Sequence, residues 1–303
     1  MKRIVIFFLL LAVLTEISQA QVFYSKRRDR NWMLSYGLGM ASYDGDMRAV
    51  VSEGLDANFG TAFNLGLRKS LGKQLSLRFD LSYYQIEAMD AKAAGAAGSS
   101  NDRVIRNLNF RARNLELSAL AIYNFKPNYE KYNRRHFFNP YLILGIGQTT
   151  NRPRTYLPGE EGNYSVKLWE IQTEEAAPVE SYPKMVTVVP YGIGIRLKVS
   201  SSIDVLFEAS RRLTFSDYLD DVATVYPSLE EVIAWNGGPG SEKAAIAVKV
   251  YDRSEEGGFP ARKKGNIRGS DNNDSYYMLM VKVEVYIPYK FLKVLFSPKP
   301  DID

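Results

Sequence analysis

Leu75-Ser76-Leu77-Arg78-Phe79-Asp80-Leu81-Ser82-Tyr83-Tyr84 switches between apolar and polar residues at every step as far as Tyr83. A β-strand sends successive side chains to opposite faces. Leu75, Leu77, Phe79, Leu81 and Tyr83 therefore share one face, and Ser76, Arg78, Asp80, Ser82 and Tyr84 the other. A helix would need apolar residues three and four apart, a spacing this stretch lacks. One fully apolar face backed by a charged one suits a strand with lipid outside and a polar interior.

Seven further segments carry the same period. With the first, which extends over about 74–86, they lie at about 32–43, 58–69, 109–125, 138–149, 186–199, 203–215 and 276–289. Their lengths match the ~9–11 residues that cross a bilayer at a tilt, with extensions beyond it. Pro140 and Pro190 fall inside two of them, where a strand end or a bulge must accommodate the missing donor. The connectors alternate in length. Those at 70–72, 126–137 and 200–202 are short; those at 44–57, 87–108, 151–184 and 216–275 are long. Bacterial barrels keep short turns in the periplasm and long loops outside, so an even strand number puts both termini in the periplasm. The fold predicted is all-β: an eight-stranded antiparallel transmembrane β-barrel of the outer-membrane type with long extracellular loops.

The start of the chain agrees. Lys2 and Arg3, an unbroken apolar run from Ile4 to Leu14, and Ser18-Gln19-Ala20 form a signal peptide over residues 1–20, removed before Gln21. The rest, 21–303, reads as a single barrel domain. Mean hydropathy is −0.24, and no later stretch approaches the ~18 apolar residues of a spanning helix. The chain has no cysteine, which excludes both an acylated lipoprotein and thiol chemistry. A net charge of +5 is spread along the chain with no basic helix or stacking platform, so nucleic acid is not expected as a partner. The stretch 91–100, rich in Ala, Gly and Ser, reads as a mobile loop, and 236–240 and 257–270, rich in glycine and charge, as exposed irregular backbone.

The inward faces carry Arg68, Arg78, Asp80, Glu116, Arg196, Lys198, Asp204, Glu208, Arg212, Lys282 and Glu284. The lumen of an eight-stranded barrel is just wide enough to be filled by side chains. An ion-pair plug is the expected arrangement, and a proton or solute path the rival one.

Catalytic chemistry is hard to find. The single histidine, His136, sits beside a short turn, and no phosphate-binding glycine loop is present. No small-molecule substrate and no cofactor are expected. Asp217, Asp220 and Asp221 are close enough in sequence to share a calcium ion, with Asp44 and Asp46 as neighbours at the rim. Equally, Ser216 or Asp217 could cap a short helix or order the loop, or the acids could contact a partner.

Several motifs together form a recognisable series: Tyr43-Asp44-Gly45-Asp46, Arg106-Asn107-Leu108-Asn109-Phe110-Arg111, Pro140-Tyr141 with Gly145-Ile146-Gly147, and above all Thr214-Phe215-Ser216-Asp217-Tyr218-Leu219-Asp220-Asp221-Val222. With them the chain, from about Trp32 to Tyr289, resembles the PorG-like outer-membrane barrels of Bacteroidetes associated with the type IX secretion system. The resemblance implies a non-enzymatic barrel that anchors a secretion or gliding assembly and meets a periplasmic ring lipoprotein. Lys131, Arg134 and Arg135 in the 126–137 turn, with Lys290, Lys293 and Lys299 in the tail, would then dock an acidic partner or hold lipid phosphates. Two departures stand against the family pattern: a long charged loop at 216–275 and a tail continuing past the last strand. The alternative is a passive envelope-stabilising or adhesive barrel that binds through its extracellular loops.

Overall fold

The computed structural model describes residues 32–47, 59–93, 101–127, 135–159, 163–175, 179, 182–270 and 272–287. The expected export signal at 1–20 lies outside them. The strands are β1 (Trp32–Asp44), β2 (Gly60–Ser70), β3 (Leu75–Met89), β4 (Asn109–Asn124), β5 (Phe138–Thr150), β6 (Pro153–Leu157), β7 (Tyr164–Lys167), β8 (Met185–Lys198), β9 (Ile203–Thr214) and β10 (Ser275–Tyr286). Eight of them run antiparallel in the order β3-β2-β1-β10-β9-β8-β5-β4, and a β3–β4 ladder closes the ring. Closure pairs every edge, which removes the unsatisfied backbone groups that lipid cannot solvate.

The alternation read in the sequence is the inside–outside pattern of the wall. Along β3 every second side chain from Ser76 to Ala88 is buried, while Phe79, Leu81 and Tyr83 are exposed. Leu38, Leu117, Ile146 and Ile193, each 61% exposed, come from four different strands. A water-soluble surface does not carry so broad an apolar band. From Leu115 to Phe125 the outward residues of β4 and the residue after it form the full height of this belt: about 34 Å along the strand, or ~26 Å along the membrane normal at a tilt of ~40°.

Both prolines are accommodated without a change of register. The β5–β8 ladder runs to Leu144↔Tyr191, lapses beside Pro190, and resumes at Gly147↔Val188 with no residue gained or lost. Pro140 lies at the short-turn end, where its carbonyl still accepts from the Phe125 amide at 3.0 Å. Gly194 permits a close approach: an added Cβ there would strike the ring of Tyr141, which fills the lumen behind it.

At the other end the wall continues above the belt. β6 takes over the edge of β4 where β5 leaves it. Stepping back along β4 from Glu116 opposite Thr149 reaches Arg111 opposite Arg154 in unbroken register. β7 then pairs with β6, so β3, β4, β6 and β7 form one extended sheet. This hairpin was not expected from the sequence. Nor do the sequence patterns single out the two helices of the last long connector: Leu229–Trp235, opened by a Ser228/Glu231 capping box, and Glu242–Tyr251. Their buried faces join Tyr43, Phe110, Leu157, Leu168, Leu219, Tyr226 and Tyr276 in one apolar core above the lumen.

Candidate functional site

Two buried polar assemblies stack along the barrel axis, one in the lumen and one in the cap. The lower one is built from inward positions of the strands. Arg68 forks onto Glu284 at 2.8 and 2.6 Å and reaches Ser76 at 3.0 Å. Arg196 approaches Glu284 at 3.3 Å and Asp204 at 3.8 Å, and donates to Asn124 at 2.6 Å. Arg78 forks onto Glu208 at 2.5 and 3.0 Å and meets Asp80 at 3.0 Å. Lys282 joins the same two acids at 2.9 and 3.0 Å, and Tyr141 donates to Glu208 at 2.6 Å. Higher up, Arg212 lies 3.4 Å from Glu116, which also accepts from Tyr276 at 2.8 Å. Tyr276 stacks on Tyr84 with ring centroids 4.6 Å apart.

Arg135 stands apart from the other turn residues named as docking candidates. It enters the lumen from the short-turn end, where it pairs with Asp204 at 2.7 Å and donates to the carbonyls of Ser200 and Ser201 at 3.0 and 2.7 Å. Its side chain is 3% exposed, so it braces two turns against each other and does not face a partner. Lys131, Arg134, Lys290, Lys293 and Lys299 lie outside the described residues.

Each of the five lumen carboxylates named above touches at least one cation. A buried charge left alone costs several kcal/mol, whereas one held by two or three donors is tolerated. Chemically this is a charge-balanced brace across the lumen, with its carboxylates consumed by their partners.

The upper assembly ties the long connectors together. Arg106, leading into β4, forks onto Asp90 at 2.7 and 2.8 Å and donates to the backbone carbonyls of Arg268 and Asp46, the latter at 3.1 Å. Arg268 reaches Glu174 at 2.6 Å, the Asp221 carbonyl at 2.5 Å and the Asp221 carboxylate at 3.7 Å. Glu174 in turn accepts from the amides of Ala223 and Thr224 at 3.1 and 2.9 Å. Asp46 accepts from the Ser270 amide and hydroxyl at 2.5 and 2.6 Å. All four long connectors thus meet through buried side chains above the lumen.

The acids considered for calcium are placed differently from one another. Asp217 is half-buried at the start of the loop. Asp220 accepts from the Tyr43 hydroxyl at 2.7 Å and from the Val222 amide at 3.0 Å. Asp221, in the left-handed region at φ 70°, accepts from Thr173 at 2.7 Å. Among the described residues no group of three or more acids and histidines gathers to hold a metal ion. The sequence reading missed Asp274, which faces the same Tyr43 hydroxyl from the far end of the connector. Tyr43 has one proton to give to two carboxylates, so a second proton is needed to hold Asp220 and Asp274 together.

Protonation follows from that geometry. Burial, reinforced by the charge of Asp46, pushes Asp220 up to about 7. Burial lifts Asp221 to about 8 against the opposing pull of Arg268. Asp274 is also pushed well above the carboxylate range by burial and by Asp220. Each folded value exceeds the unfolded one, ~3.9. The stabilisation is therefore complete below about pH 4 and is lost as pH rises through the folded values near 7 and 8. Amide exchange across 216–224, corrected for intrinsic rate, should quicken at least about tenfold from pH 6 to pH 9. Asp220→Asn with Asp221→Asn should flatten the profile; a wild-type profile that is already flat would contradict the assignment.

No protein-family model and no curated protein matches the chain. Among solved structures it is similar to Neisserial surface protein A, at 12% identity and a TM-score of 0.37, over 84% of this chain and 97% of that one. It is also similar to the N-terminal β-barrel domain of Pseudomonas aeruginosa OprF, at 8% identity and a TM-score of 0.34, over 85% and 98%. For the Yersinia pestis attachment invasion locus protein Ail, in complex with a heparin analogue, identity is 11% and the TM-score 0.36, over 86% and 99%. The closed ladder, the apolar belt and the filled lumen make this chain an eight-stranded β-barrel of the outer-membrane type.

Proposed function

We propose that this barrel is a non-enzymatic anchoring component of the type IX secretion or gliding machinery, a rigid membrane post that docks a periplasmic ring lipoprotein. The observation that carries the reading is the closed interior. With the lumen braced by Arg78, Glu208, Lys282 and Glu284 and an apolar core packed above it, the outer surfaces are the ones left to work with. The motif series from Tyr43-Asp44 to Asp221-Val222 supplies the secretion context. In this reading the termini and short turns face the periplasm, and Lys131, Arg134, Lys290 and Lys293 supply the basic docking surface. Arg135 contributes by tying the end of this connector to the 200–202 turn and to Asp204.

The test is crosslinking in the native outer membrane, affinity isolation of the barrel and mass spectrometry of what accompanies it. A ring lipoprotein crosslinked to 126–137 or to the tail is the expected outcome. Charge reversal by Lys131→Glu with Arg134→Glu should then reduce its recovery several-fold; unchanged recovery would count against docking there. One observation favours a second reading. The long connectors pack into a single folded body, as an adhesive or envelope-stabilising barrel would need. That reading predicts surface binding that depends on the cap and normal secretion in a strain without the protein.

A further inference from the structure

Five basic side chains lie in two neighbouring rows on the outer face of the sheet, where it leaves the apolar belt. In the nearer row Arg113 is paired with Gln85, and the shared register brings Arg152 level with it. In the farther row Glu87, Arg111, Arg154 and Lys167 are successive cross-strand partners. Directly paired residues share a face, and like charges opposite one another are destabilising unless something offsets them.

The protein offsets only part of this charge. Glu87 accepts from Arg111 at 2.6 Å and Glu170 from Lys167 at 2.7 Å. Arg113 donates to the Gln85 amide oxygen at 3.2 Å and Arg154 to the Ser165 hydroxyl at 3.4 Å, both neutral acceptors. Among the described residues no carboxylate pairs with Arg113, Arg152 or Arg154. Aromatic rings complete the face. Arg111 lies over Tyr156 at 5.2 Å, and Arg154 and Lys167 lie over Trp169 at 5.5 and 5.9 Å.

Height relative to the bilayer identifies the occupant. Leu115 is the first lipid-facing residue of β4, and Arg113 and Arg111 follow on the same face. They stand about 5 and 10 Å further along the normal, against a headgroup layer of ~5–8 Å per leaflet. Tyrosine and tryptophan at that level are typical of a membrane interface, and guanidinium forks match phosphate oxygens.

We propose that the outer face of β4, β6 and β7 binds the phosphate groups of lipids in the leaflet around the capped mouth. The site is built by Arg113, Arg152, Arg111, Arg154 and Lys167 on a Tyr156/Trp169 floor. It is independent of the docking assigned to the opposite end of the barrel.

The full chain is placed in phosphatidylcholine nanodiscs doped with phosphatidylglycerol or with diphosphorylated lipid A. Retained lipid is then read by native mass spectrometry. Each basic group at a charged membrane surface is worth about fivefold in affinity, so R113Q/R154Q should retain roughly twentyfold less of either anionic lipid. K243Q/K249Q, which removes the same charge from the cap helix, should match wild type. Equal retention by the two double variants, or no enrichment over phosphatidylcholine in wild type, overturns the proposal. Displacement by excess inorganic phosphate at constant ionic strength would overturn the lipid assignment in favour of a free-anion site. Should R113Q/R154Q not fold, Arg152→Gln, at an exposed position ahead of β6, reads the same face alone. About a fivefold loss is expected, and wild-type retention would contradict the site.

Discussion

Arg78→Ala should lower the free energy of unfolding by roughly 3–5 kcal/mol, the usual cost of leaving a buried carboxylate uncompensated. The guanidinium is 1% exposed and holds Glu208 through two hydrogen bonds and Asp80 through a third contact. Without it Lys282 is left to balance the charge of both acids, with only the neutral Tyr141 hydroxyl beside it on Glu208. Glu208→Gln tips the balance the other way, leaving Arg78 and Lys282 to share Asp80. The combination R78M/E208Q removes one charge of each sign and keeps the Lys282–Asp80 pair at 3.0 Å. Its destabilisation should therefore fall well below the sum of the two single effects. Denaturant titration in detergent, followed by the heat-modifiable gel mobility of the folded barrel, checks this. Additive single effects would mean that the two residues do not act as one unit.

Arg268→Ala should undo the cap while leaving the wall intact. Arg268 is 1% exposed and bridges two connectors through Glu174 and Asp221. Removing it strands Glu174, itself fully buried, and frees the backbone at Asp221 from the contact that holds it. The local cost is again roughly 3–5 kcal/mol, but it falls on segments outside the closed ladder. Protease should cut within 216–270 at least tenfold faster, with barrel mobility on gels unchanged. Arg268→Lys should recover little, because one ammonium cannot serve Glu174 and the Asp221 carbonyl while also reaching the Tyr251 carbonyl and the Asp221 carboxylate that Nε and Nη2 meet. Unaltered protection of 216–270 in Arg268→Ala would show that apolar packing around Tyr226 and Leu219 holds the cap by itself.

The wall was legible because its signal is local. A period of two survives in a single strand, so Leu75–Tyr84 alone reveals which residues face lipid and which face the lumen. The inward charges could be named for the same reason, though not their pairing: Arg78 and Glu208 are 130 positions apart, and Arg68 and Glu284 are 216 apart. The burial of Arg135 is not readable, because a turn position suggests exposure and its partner Asp204 lies at the foot of another strand. The cap was nearly opaque. Ser228 with Glu231 is a readable helix start, and the glycines at 236–240 form the irregular exposed backbone that their composition suggests. There Gly237, Gly238 and Gly240 adopt positive φ where one helix gives way to the next, a helix pair that composition alone does not announce. The outer basic face could not be seen at all. Arg111, Arg152, Arg154 and Lys167 come together only through a register that carries β5 into β6.

The most direct test of the sealed barrel is single-channel recording of the full-length protein in planar bilayers. No resolvable current is expected, and none from Arg268→Ala either, because the ion-pair brace below the cap still fills the lumen. A steady ionic current through the wild-type protein would contradict the account at its centre.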